Sequence, residues 1–108
     1  MKPIIDKNAV AIAPNSLASA LFSPGRIAIT KMVLDTLKEH NYTPSFLLAR
    51  HLNGDWGVVS EEHASLNNQA VAHGFQIMSI FPITSKISIW VITESNRKST
   101  TLLLPSEY

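Results

Sequence analysis

Four residues of this chain are of the types that break a phosphodiester without a metal: His51, Glu94, Arg97 and Thr100. A metal-independent ribonuclease needs a carboxylate to take the 2′-hydroxyl proton, a histidine to protonate the leaving oxygen and a cation to neutralise the charged phosphorane. Glu94, His51 and Arg97 match those roles in turn, and Thr100 adds a hydroxyl for the phosphate. Three of the four lie in the polar run TESNRKSTT, residues 93–101. A hairpin there gathers Thr93, Lys98 and Thr101 as further contacts for an anion. Polar residues decorating a water-exposed turn are the simpler account of the same run.

The stretch Asn53-Gly54-Asp55-Trp56-Gly57 also admits two accounts. In the structural one, Gly54 takes a left-handed helix cap, Asp55 bonds to nearby backbone amides and Trp56 anchors the loop on the core. In the functional one, Asp55 and Trp56 face a partner, and His51 serves the same loop as acid or base. Asn67 falls four residues after His63 on one helix face and joins the binding candidates. No metal site is expected: His40, His51, His63 and His73 form no close ligand pair, and there is no cysteine. No glycine-rich phosphate loop or nucleophile elbow is present, so no cofactor is expected.

These side chains must be positioned by a fold of 108 residues, 45% hydrophobic and 16% charged, which is enough apolar material for one packed core. The net charge of +1 gives no general basic field, so RNA contact has to come from a local patch. The absence of cysteine favours a reducing, cytoplasmic setting. Asp6, Lys7 and Asn8 interrupt the apolar start, so no export signal is read, and no run reaches the roughly 18 apolar residues that span a bilayer. A protein free of the membrane is expected.

Residues 1–22, broken by Pro3 and Pro14, read as an extended arm ahead of a single domain at 23–108. A short strand at 25–30 precedes three helices, at 31–40, from Thr43-Pro44 to Asn53-Gly54, and from Ser60 to Gly74. The remainder turns to β-rich runs at 75–81, 86–94 and 99–104. The expected fold is α+β, with about three helices packed on one face of a small, mainly antiparallel sheet of three to four strands. An exposed edge of that sheet leaves room for a homodimer.

Four segments together resemble a known family: SPGRIAIT at 23–30, LLARHLNGDWG at 47–57, Asn67, and IWVITESNRKSTTLLLPSEY at 89–108. The family comprises short proteins of bacterial plasmids, phages and integrative elements, commonly labelled type I restriction endonuclease subunit M. Its patterns run like RHxxGDWG and WxITExDRSxTTxLLPxEY. This chain departs from them at Ile27–Met32, which lacks the family's proline-glycine turn, and at Asn96, where the family tends to have Asp. The label itself does not carry over: a methyltransferase needs a cofactor-binding domain and an Asn-Pro-Pro-aromatic loop, and neither is read in this sequence. The resemblance implies a mobile-element setting.

Two functions follow. One is a noncatalytic accessory protein that binds a host or defence-system protein through Asp55, Trp56 and the 93–101 hairpin. The other is a small ribonuclease or toxin of the barnase or RelE type. The second requires His51 and Glu94 to flank a cleft near Arg97, within the span of one phosphodiester.

Overall fold

The computed structural model describes residues 20–108, so the expected arm lies outside the described residues except for its last three positions. The elements are β1 (Arg26–Ile29), α1 (Lys31–Glu39), α2 (Pro44–Leu52), α3 (Glu61–His73), β2 (Ile77–Pro82), β3 (Ser88–Thr93) and β4 (Ser99–Leu103), closed by a 3-10 turn at Pro105–Glu107. Each helix starts on a hydroxyl. Thr30 Oγ1 accepts from the Val33 amide at 3.2 Å, Thr43 Oγ1 from Phe46 at 3.3 Å and Ser60 Oγ from His63 at 3.0 Å. Each cap contributes about 1 kcal/mol by satisfying an amide that has no partner within its helix. Pro44 opens α2, where its missing N–H costs nothing, and Gly74 ends α3 at φ 74°.

The strand order is β1-β4-β3-β2. β2, β3 and β4 form the expected antiparallel meander, while β1 pairs with β4 in parallel, so the sheet is mixed. Its register places Ile29, Leu102, Ile89, Val91 and Phe81 on one face. Val33 and Leu37 of α1 and Leu47 and Leu48 of α2 pack against them to form the main core. A smaller cluster joins Trp56, Ala70 of α3 and Ile77. All three helices thus cover one face, the α+β arrangement expected. Each of the large side chains at 0% exposure stabilises the fold by about 1.5–3 kcal/mol. Three inward positions break the apolar pattern: Ser79, Thr93 and Thr100, each also at 0% exposure.

The outer edge of β2 is closed by three different devices. Asn67 behaves as a strand partner: its amide nitrogen donates to Met78 O at 2.8 Å, and its oxygen accepts from the Met78 amide at 3.3 Å. Two residues on, Ile80 N donates to Trp56 O at 3.0 Å and Ile80 O accepts from Val58 N at 2.9 Å. The next outward position is Pro82, which has no N–H to offer. At the other side of the sheet, β1 has no second partner strand among the described residues.

Both ends of the described segment are fastened into this frame. Leu21 N donates to Leu52 O at 2.8 Å, and the Phe22 ring lies 5.3 Å from that of His51, so these two positions are docked on the domain. Glu107 Oε1 accepts from Thr30 Oγ1 and from the Leu104 amide, both at 2.8 Å. Tyr108 meets Trp90 edge-on at 5.4 Å while remaining largely exposed. No helix among the described residues is long and apolar enough to cross a membrane.

Gly57 has φ 74°, and a Cβ there would overlap the Ile80 carbonyl oxygen. Gly74 has the same φ of 74°, but a Cβ there would clear its nearest neighbour, Ser95 O, by 4.0 Å. Gly74→Ala is therefore expected to cost about 1 kcal/mol, the left-handed backbone alone. Gly57→Ala is expected to cost about 3 kcal/mol or more, because the bridge to β2 must also move. Urea unfolding of both variants checks the order; equal losses would mean that the Gly57 contact is not a constraint.

Candidate functional site

Within α2, Leu47, Leu48, His51 and Leu52 recur at helical spacing on the inward side, so His51 is carried into the core. Its exposure is 0%. Nδ1 lies 2.6 Å from Ser79 Oγ and Nε2 lies 2.9 Å from Thr93 Oγ1. Thr93 Oγ1 is 2.7 Å from Thr100 Oγ1, which donates to the Pro24 carbonyl at 2.8 Å. A carbonyl only accepts and a hydroxyl has one proton, so this last bond orients the whole chain. Thr100 gives its proton to Pro24 O and accepts from Thr93; Thr93 accepts from His51 Nε2–H; Ser79 donates to His51 Nδ1. The ring is therefore the Nε2–H tautomer, with both nitrogens satisfied.

Apolar rings close the remaining sides. Phe22 and Trp56 meet the imidazole edge-on at 5.3 and 6.0 Å. Burial, and secondarily the positive charge of Arg97, lower the His51 pKa from 6.5 to about 3. Ser79 and His51 thus have the contact of a nucleophile and its base, but both are sealed from solvent and the base is too weak to act near neutrality.

Arg97 is equally committed. Its own backbone is left-handed at φ 61°, in the turn closed by Arg97 N to Glu94 O at 2.9 Å. Nη1 donates to Phe75 O at 2.7 Å and Glu94 O at 3.0 Å, and Nη2 to Ala70 O at 2.7 Å. The guanidinium also lies 5.5 Å from the Phe22 ring centroid. Arg97 therefore joins the β3–β4 turn to the last turn of α3, whose negative dipole end favours a cation. Glu94 lies one residue beyond the end of β3 and is exposed.

The ribonuclease arrangement is accordingly not assembled. His51 and Thr100 are in the core, Arg97 is spent on carbonyl groups, and Glu94 faces water elsewhere. Three of the expected binding residues need the same correction. Trp56 is 6% exposed and donates Nε1–H to Asn68 Oδ1 at 3.0 Å; Asn67 closes the β2 edge; Thr93 is inside the hydroxyl chain. Asp55, Lys98 and, in part, Thr101 remain at the surface. Among the described residues, no three His, Asp or Glu side chains gather as a metal site.

What surrounds Asp55 is different in kind. Arg50 Nε donates to Asp55 Oδ2 at 2.6 Å, and Asp55 Oδ1 accepts from the Gly57 amide at 3.1 Å. The Arg50 hydrogen bond chiefly holds the Asp55 carboxyl below its ordinary range. Arg50 also lies over Phe81 at 4.5 Å and beside Phe46 at 5.8 Å. Around this loop three large apolar side chains face water: Phe46 at 52%, Leu21 at 53% and Val58 at 63% exposure.

Ser79, Phe22 and Pro24 complete the junction around His51, and the exposed Asn68 holds Trp56 beside it, without having been singled out by sequence reasoning. The available signal for Ser79 is its place between Ile77 and Phe81, a polar residue at an inward strand position. No protein-family model matches the chain, and neither curated proteins nor solved structures give a significant match.

His51 stays neutral in the fold down to about pH 3, whereas in the unfolded chain it takes a proton below about 6.5. The unfolded state then binds more protons, so stability is complete above pH 6.5 and is lost as pH falls toward 3. The slope is expected to approach ~1.4 kcal/mol per pH unit, with Asp55 adding a loss below 3.8. Urea midpoints at pH 7, 5.5 and 4.5 check this. A His51→Gln variant is expected to start less stable but to lose the slope between pH 6.5 and 4.5; an unchanged slope would assign it to other groups.

Proposed function

We propose that this chain is a noncatalytic accessory protein of a mobile element that binds a host or defence-system protein. The observation that carries the reading is the commitment of His51, Thr93 and Thr100 to the interior of the fold and of Arg97 to backbone carbonyl groups. With those groups occupied, the work falls to the surface. The Asp55 loop supports a protein partner there: Phe46, Leu21 and Val58 are exposed around it, and the Arg50–Asp55 pair supplies an oriented charge. Aromatic and arginine anchors beside aliphatic side chains are the composition of interface hot spots. The setting rests on the resemblance of RHLNGDWG and WVITESNRKSTTLLLPSEY to motifs of short plasmid, phage and integrative-element proteins.

The test uses the native chain immobilised beside a Phe46→Asp, Val58→Asp variant, both confirmed to unfold at the same urea concentration. Native protein is expected to retain one host protein reproducibly, and the variant to bind that purified partner at least about tenfold more weakly, the loss of one or two anchors. Equal binding by the variant would remove this surface from the reading. Mixed-sequence RNA incubated with native protein in chelator is expected to stay intact. Cleavage lost in a His51→Ala, Glu94→Ala variant would instead restore the ribonuclease reading.

A further inference from the structure

The helices account for one face of the sheet, yet the other face is also largely apolar. Strand alternation and register place Ala28, Thr101, Ile92 and Met78 in one row across all four strands, on the side away from the helices. The next row along the strands holds Leu103, Trp90 and Ile80. A sheet face turned to water carries polar side chains at alternate positions, and this one does not. Nor is it wet: Ile92 is 5% exposed, Ala28 7% and Leu103 8%, the values of buried positions. The helices do not supply that cover, because Val33, Leu37, Leu47, Leu48 and Ala70 pack with the inward positions. At one end of the face Tyr108 meets Trp90, the partner of Leu103. Ile92 and Ala28 belong to the other row, and none of the described helices or strands crosses the outer side there.

We propose that the outer face is the docking surface for residues 1–19 of this chain, which precede the described residues, with residues 9–13 contributing the apolar side chains. The low exposure of Ala28, Ile92 and Leu103 is reached within a single chain, so it does not call for a second copy or a partner. Composition fits the role: Val10, Ile12 and Leu17 fall in a stretch with no charged residue between Lys7 and Arg26, unlike a solvated tail. Reach is sufficient as well. The segment is tethered where Leu21 N donates to Leu52 O. The chain from residues 9–13 to Ala20 spans roughly 23–36 Å when extended, more than the ~15 Å across four strands. The sheet is then a middle layer, and the outer face is withdrawn from the surface open to other proteins. This inference does not rest on the partner proposed above, whose site is the Asp55 loop.

The chain has no cysteine, so a nitroxide attached to Asn8→Cys reports from one place. In amide NMR spectra of the isotope-labelled full chain, the tag is expected to broaden Ala28, Ile92 and Thr101, to spare Lys38 and Phe46 at exposed positions of the helices, and to act equally on dilution. Broadening of Lys38 or Phe46 instead, or of none of these, overturns the proposal. So does broadening of an untagged labelled chain by a tagged unlabelled one, which would assign the cover to a second copy. A stability measurement reads the same contact independently. Val10→Asp, Ile12→Asp is expected to lower the urea midpoint by about 1 M or more through the loss of two buried aliphatic side chains. Asn15→Asp, Ser16→Asp adds the same charge at polar positions of the segment and is expected to leave the midpoint unchanged. Equal midpoints in the two variants overturn the proposal.

Discussion

A fully buried imidazole must have both ring nitrogens satisfied, and that requirement at His51 fixes the centre of this fold. Ser79 comes from β2, Thr93 from β3, Thr100 from β4 and the Pro24 carbonyl from the segment entering β1. One directed run of hydrogen bonds therefore ties α2 to every strand neighbourhood of the sheet. Its cost is the desolvation of a polar ring, offset only while each donor meets its acceptor. A partly satisfied run is worse than an apolar core, which gives strand register a penalty for error that dispersion contacts alone do not supply. Slipping β4 by one residue against β3 would turn Thr100 to the opposite face and orphan Thr93.

The same economy runs through the loop after α2. Arg50, His51, Gly54, Asp55, Trp56 and Gly57 each have a structural duty: the ion pair, the buried chain, the left-handed turn, the brace on Gly57, the anchor to Asn68 and the bridge to Ile80. Without the bridge, Ile80 would present a free strand edge, and Asn67 seals the neighbouring position with a side chain instead of a backbone. The loop is thus the outermost layer of the sheet, held flat by a glycine because any Cβ would strike the strand it covers.

Elements were legible in the sequence because their signals are local: Thr43 and Ser60 cap helices, Gly74 stops one, and alternation in Ile87–Glu94 assigns the faces of β3. That same alternation put Thr93 on the apolar face with Ile89 and Val91, which is the mark of an internal hydroxyl. The parallel partner of β1 was not legible, since it depends on how three helices return the chain. The expected site also depended on something nonlocal. His, Thr and Arg are the residues a nuclease uses and equally the residues a buried polar junction uses; only burial separates the two, and burial at His51 requires Phe22, Trp56 and Ser79 from distant segments.

It follows that the two motifs carry information about architecture before they carry any about activity. A chain that keeps RHLNGDWG and TESNRKSTT in this spatial relation keeps the His51 chain, the Arg97 clasp on α3 and the covered edge of β2. Changing His51, Trp56, Gly57, Thr93, Arg97 or Thr100 alters stability first, because each is a buried polar or anchoring group, a required glycine or a helix clasp. On the proposed reading, selectivity resides in side chains free of such duties, where substitution costs the fold little. Phe46 and Val58 beside the Asp55 loop meet that condition. The buried junction and the exposed surface are then complementary in the proposed reading: the first braces the Asp55 loop through the Arg50 and Gly57 contacts, and the second is presented without the entropy of ordering a loop on binding.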